Sequence, residues 1–403
     1  MKDFESRGQW RRQRRQVLGG VAGAVSVALF GTACSPESEL DAAAPVAIVQ
    51  SPESIPTGNE SLDPQALEFA TQLLNNHVSI DLHCHPGMFF FDGFTPDDPA
   101  VAAMAATAGF QERVIDDMSA GQLTVGLFAT VADIPLIAAG ERGLFAHREF
   151  EAGEAYADHQ RQMKVLEQMV ETGKVMAIRT PGDVAAAKKA GRVGAIFATE
   201  GGDFLEQRGE RIEEAYAAGI RSIGLVHYHT NDLGDIQTAA PVHGGLTEFG
   251  KEAIVEMNRV GMIIDLAHAT FETARDAAEL TSQPIMVSHS FIADKEVQHP
   301  RLLSEDHARI IAQTGGLVGA WPTGIGNSDF ASFVNRLVRL VELIGIDHVG
   351  LGTDMDANYK PVFTNYRQLP HLPAALKDKG MHDEEIVKLI GGNFMRLFAA
   401  VTR

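Results

Sequence analysis

Cysteine is almost absent: Cys34 and Cys84 are the two in 403 residues. No disulfide framework organises this fold, and a chain of this length buries enough core to do without one. Basic residues are in deficit, with 34 Lys+Arg against 53 Asp+Glu and a formal net charge of −19. Phosphate backbones demand a basic surface, so nucleic acid is excluded as a partner. The acidic excess speaks to solubility and does not choose a substrate. Long apolar runs are missing too: residues 21–30 are too few and too glycine-rich to span a bilayer. No internal repeat and no second domain boundary is visible. The composition is ordinary for a globular protein, 45% hydrophobic and 22% charged. Barrels of the α/β class reach this length as one unit.

What the N-terminus does have is a leader. Arg11, Arg12, Arg14 and Arg15 run into Val17-Leu18 and a small-residue apolar stretch that ends at Gly31-Thr32-Ala33-Cys34. Arg14-Arg15-Gln16-Val17-Leu18 resembles a twin-arginine export signal. Cys34 resembles a bacterial lipoprotein processing site, with Gly31 where leucine is usual; a plain cleaved signal is the alternative. The expected organisation is a signal over 1–33, a Ser/Pro/Glu-rich flexible tether over 34–62, and one catalytic domain over 63–403. Such a protein works outside the cytoplasm, on the periplasmic or outer-surface side of a bacterial membrane, anchored by lipid at Cys34.

Beyond the tether, Asp63-Pro64 opens a helix as cap and first residue. Short apolar runs then alternate with longer helical patterns, the signature of a parallel sheet with crossover helices. The runs lie at 78–83, 123–129, 195–200, 222–227, 262–265, 285–288, 317–320 and 348–352. Eight is the number a (β/α)₈ TIM barrel needs. Helical patterns at 151–171, 250–260 and 332–344 each end near glycine.

Polar residues gather at the ends of those runs. His83 ends the first, with His85 two residues on; Glu200 ends the third and His227 the fourth. His268 follows the fifth, His289 the sixth and Asp354 the eighth. A lone histidine is usually a satisfied or surface residue, Glu200 alone could serve a helix N-terminus, and Asp354 alone could cap a turn. Repetition at one end of successive strands is what those readings do not supply, because in a barrel these ends converge on one mouth. Four histidines and a carboxylate suit two divalent ions, zinc first. His83 and His85 would hold one, His268 and His289 the other, and Glu200 would bridge them, with a shared hydroxide as nucleophile.

Several segments resemble the membrane (renal) dipeptidase family in order and spacing. They are Asp81-Leu82-His83-Cys84-His85, Ala198-Thr199-Glu200-Gly201-Gly202, Leu225-Val226-His227 with Asn231, and Gly261 through His268. Ser288-His289-Ser290, His299-Pro300-Arg301, His348 through Asp356, and Gly391-Gly392-Asn393 continue the match. The resemblance covers about residues 66 to 400 and implies a zinc-dependent dipeptidase with a dipeptide as substrate. It implies His83, His85, His268 and His289 as metal ligands and Glu200 as the bridge. It further implies His227 as the residue that contacts substrate and steadies the tetrahedral intermediate, Arg301 as the grip on the substrate carboxylate, and Asp354 as the acid/base. A homodimer is left open.

The family usually has His-x-Asp where this chain has His83-Cys84-His85, which removes one negative charge and leaves a more electrophilic pair of ions. Ala267, Leu302 and Ala357 also depart from common residues. These changes bear on the substrate, so an N-acyl amino acid, a lactone or another small amide or ester is the nearest alternative. The loop 230–244 is expected over the mouth. A non-catalytic peptide-binding lipoprotein is the distant alternative, and it predicts missing ligands.

Overall fold

The computed structural model describes residues 63–402; the leader, the tether and Cys34 lie outside the described residues. Helix Pro64–Asn76 starts as the Asp-Pro pair predicts, with the Asp63 carboxylate accepting from Gln65 N. The strands, in chain order, are β1 (Ile80–Cys84), β2 (Val125–Val131), β3 (Ile137–Gly140), β4 (Gly143–Ala146), β5 (Met176–Ala177), β6 (Gly194–Glu200), β7 (Ile220–Gly224), β8 (Ile263–Asp265), β9 (Met286–Ser290), β10 (Leu317–Ala320) and β11 (Val349–Leu351).

Parallel pairing runs β1, β2, β6, β7, β8, β9, β10, β11 and back to β1, closing an eight-stranded barrel. Each run read from the sequence becomes one of these strands. The ends move: β2 continues to Val131, β7 stops at Gly224, and His348 falls in a turn before β11. The hairpin β3–β4 and the two-residue β5 lie outside the eight runs; each is short and partly exposed, although 134–139 and 175–178 are apolar in sequence. Strands β2 and β6 are buried at every position, as strands covered on both faces must be.

Interior packing positions the site. Ile80, Leu82, Val125, Leu127, Ile196, Ala198, Ile263 and Met286 form one buried cluster, joined by Phe394, Leu397 and Phe398 of the C-terminal helix Asn393–Val401. Cys84, Phe128, Phe197, Ile264 and Val287 belong to the layer between strands and helices. Period-two alternation from Ile196 and Ala198 therefore carries Glu200 inward without further help.

His83 and His289 break that alternation. Leu82 faces the interior, so simple alternation would turn His83 outward. Between Asp81 and Cys84, however, β1 spends three residue steps against two on β2. The same excess occurs in β9, three steps from Val287 to Ser290 against two on β10. Each is a β-bulge, an extra residue that re-aims the side chain after it. Both bulges sit where an imidazole has to face the barrel axis.

Candidate metal centre

Glu200 stands in the middle of the mouth, buried at 4% exposure. Its Oε2 lies 3.4 Å from His83 Nε2 and 3.3 Å from His85 Nε2. Its Oε1 lies 2.9 Å from His268 Nε2 and 3.5 Å from His289 Nε2. His83 and His85 bring their Nε2 atoms within 3.0 Å of each other, and His268 and His289 within 3.3 Å. All eight residues named from the sequence meet here: His227 Nε2 is 3.5 Å from Glu200 Oε2, and Asp354 Oδ1 is 3.4 Å from His85 Nε2. Arg301 NH2 is 3.0 Å from Nε2 of both His268 and His289.

This donor set fits divalent cations. Ligands held about 2.0–2.1 Å from one ion in a tetrahedron lie roughly 3.3 Å apart, close to the spacings observed. His85 Nδ1–H donates to Ala129 O at 2.8 Å, which leaves its Nε2 lone pair facing the centre. Two lone pairs at 3.0 Å repel unless something positive lies between or beside them. At His268 and His289 the chain supplies its own cation, Arg301, on the same lone pairs that would serve a metal. Two groups of three, His83–His85–Glu200 and Glu200–His268–His289, share the one carboxylate; Asp354 also lies near His83 and His289.

Burial opposes charge on His85, yet Asp354 and Glu200 beside it push its imidazole up to about 10, so without an ion its Nε2 holds a proton that a bound cation would displace. Burial, the Arg301 guanidinium and His227 hold His268 well below the usual histidine range. Burial and His83 do the same for His289, so both are neutral, which is the ligating form. Burial would raise Glu200, but His227 and His83 around it hold the carboxyl well below its ordinary value.

The backbone is shaped for the site as well. His268 and Asp354 both have positive φ, 69° and 53°. That region is strained for residues other than glycine, and strain of this kind persists where tertiary structure over-determines it. Main-chain bonds tie the two halves of the mouth together: Asp354 N donates to His83 O at 2.9 Å and His85 N to Met355 O at 3.0 Å. The loop 230–244 is fastened to the His268 turn through Gln237 N and His268 O at 2.8 Å. Asp235 gathers the loop by accepting from Val242, His243, Gly244 and Gly245.

A match to the family model "Membrane dipeptidase (Peptidase family M19)" spans residues 67–403. The chain belongs to the membrane dipeptidase family. Dipeptidase verJ of Clonostachys rogersoniana is 26% identical over 249 residues, covering 60% of this chain and 64% of the relative. Dipeptidase aclJ of Aspergillus oryzae is 30% identical over 221 residues, covering 52% of each. The matched stretch thus spans about half to two-thirds of these relatives. In fold, the chain resembles the probable dipeptidase PvdM from Pseudomonas aeruginosa, with a TM-score of 0.70 at 20% identity over 84% of this chain and 99% of that one.

Four groups around the centre are not marked as functional by the sequence. Asp133, fully buried, lies 2.6 Å from His227 Nδ1 and also accepts from Tyr228 N at 2.9 Å. It follows β2 by two residues, so the strand-end rule would have found it had the strand been read to Val131. Gln237 Oε1 accepts from Arg301 NH1 at 2.8 Å, and the Trp321 ring lies 5.2 Å from the guanidinium. Ser288 stands behind two of the histidines. Nothing in residue type or spacing singles out these last three.

Proposed function

We propose that this protein is a metal-dependent dipeptidase that uses two divalent ions, with zinc favoured by the nitrogen-rich donor set. The observation that carries the reading is the single buried carboxylate of Glu200, with one oxygen facing His83 and His85 and the other facing His268 and His289. Ions bound there would supply Lewis acidity and lower the pKa of water.

The chain's own residues account for the rest of the chemistry. Arg301 is a planar, permanently charged donor at the mouth and suits a substrate carboxylate, held in place by Gln237 and Trp321. His227 presents Nε2 to the centre while Asp133 holds its Nδ1, so it is oriented to donate to a carbonyl oxygen as charge develops there. Asp354, at the mouth beside His85, is placed to carry a proton to the departing amine.

The test is elemental analysis of purified protein together with hydrolysis of L,L and L,D dipeptides, with and without chelator. Near two zinc ions per chain and chelator-sensitive cleavage are expected. Two ions without dipeptide cleavage would move the reading to another small amide or ester. No ion after zinc addition would refute it. The leader further supports export and attachment through Cys34, for which Cys34→Ala should release the protein from the membrane fraction.

A further inference from the structure

Ser288 lies directly behind the centre, on the bulged segment of β9 that turns His289 inward. Its hydroxyl is 3.0 Å from His289 Nδ1 and 3.4 Å from His83 Nδ1, and its backbone N–H donates to Asp265 Oδ1 at 2.9 Å. A hydroxyl offers one donor and two acceptor sites. With the Nε2 atoms of His83 and His289 turned to Glu200 as ligands, their Nδ1 atoms carry the protons. Both hydroxyl lone pairs then take Nδ1–H groups, one from each imidazole.

In the two groups that share Glu200 the two histidines are separated, His83 with His85 and His289 with His268, while a third group brings both together with Asp354. The other two are held differently: His85 Nδ1 has Ala129 O to itself, and His268 Nδ1 has no partner. Asp265 is anchored in turn. Its Oδ1 accepts from Ala267 N at 3.0 Å and Ser288 N at 2.9 Å, tying β8 to β9 beneath the site. The bulge is what permits the arrangement, since it leaves Ser288 and His289, neighbours in sequence, both facing inward.

We propose that Ser288 is a positioning residue that fixes one imidazole from each of the two groups sharing Glu200 through a single hydroxyl and thereby couples the affinities of the two metal positions. This rests on the two-ion reading above. Outer hydrogen bonds to ligating histidines set tautomer and orientation, and their loss typically costs about 10- to 100-fold in metal affinity. Loss of Ser288 should therefore be felt at both ions, although the residue touches neither.

The experiment uses the full chain loaded with Zn²⁺ or Co²⁺. Affinity for each ion is measured by competition with a chromophoric chelator, and the ligand field is followed by the visible Co²⁺ spectrum. Ser288→Ala should weaken both ions by about 10- to 100-fold and alter the Co²⁺ bands of both. Ser288→Thr, which keeps the hydroxyl, should recover most of the affinity. Unchanged affinity, or loss confined to one ion, overturns the coupling. If Ser288→Ala does not fold, Asp265→Asn carries the test: a smaller loss shared by both ions is expected, and no loss or loss at one ion overturns the proposal. A wild-type chain that takes up no ion sinks both the function and this inference; one with two ions and an unaffected Ser288→Ala sinks the inference alone.

Discussion

Asp133 Oδ1 lies 2.6 Å from His227 Nδ1, and Asp133 is completely buried while His227 reaches the mouth. A carboxylate in that position accepts the Nδ1 proton and dictates which face of the imidazole meets a substrate. Asp133→Asn keeps the shape and removes the charge, so kcat should fall about 100-fold, the scale of losing one preorganised donor, with KM little changed. Steady-state kinetics on a dipeptide checks this. An unaltered kcat would mean that His227 needs no orienting partner.

Arg301 is held by Gln237 and lies on His268 and His289. Arg301→Ala should raise KM for dipeptides about 10- to 100-fold, the range for a hydrogen bond to a charged group. Dipeptide amides, which lack the free carboxylate, should be affected far less. Equal losses on both substrates would argue that Arg301 serves the ligands and not the substrate.

The bulged β9 directs the Ser288 carbonyl into the barrel, where Gly319 and Gly352 leave room for it. A Cβ built on either would stand 1.8 Å from Ser288 O, and the obstructing atom is backbone. Gly352→Ala should therefore destabilise the fold by about 1–3 kcal/mol or more. Thermal unfolding measures it, and a Tm equal to wild type would show that the bulge is freely adjustable.

His159 stacks on Phe204 at 4.0 Å with its ring buried. Burial and the nearby Arg211 charge push its imidazole down to about 3. The unfolded chain protonates it near 6.5, so between those values the unfolded state binds the extra proton. Stability should fall as pH drops below about 6.5, with a slope approaching 1.4 kcal/mol per pH unit from this residue. His159→Phe keeps a ring against Phe204 and should flatten that part of the curve in denaturant titrations from pH 7 to 4. Identical pH dependence in the two proteins would refute the assignment.

How much was legible follows from particular residues. Glu200 could be placed because β6 alternates regularly up to it. His83 and His289 were recognisable by type, but their inward direction depends on one extra residue in β1 and in β9, which no apolar pattern records. Asp133 was lost because the strand before it runs two residues further than its apolar core suggests. Ser288 looks like any small residue in a buried strand; only the position of two rings behind the mouth gives it meaning. Arg301 was read as a grip for substrate, and the structure adds that it also neutralises two imidazole lone pairs. The hairpin β3–β4 was missed because its strands are four residues each and mostly half-buried, so no alternation of buried and exposed positions marks them.

The barrel closes where β11 meets β1, and that junction runs through the candidate centre. Asp81 and Thr353, 272 residues apart, are bonded at 2.5 Å, and His83, His85 and Asp354 lie immediately beyond them. The first and last strands must therefore meet before this half of the mouth exists. A ribosome that has not yet released β11 holds a chain in which Asp354 has not yet met His83 and His85. Ion capture by this half of the mouth would then mark completion of the fold, and a chain truncated before β11 should be bound by chaperones and proteases as an unfinished product, whatever metal surrounds it.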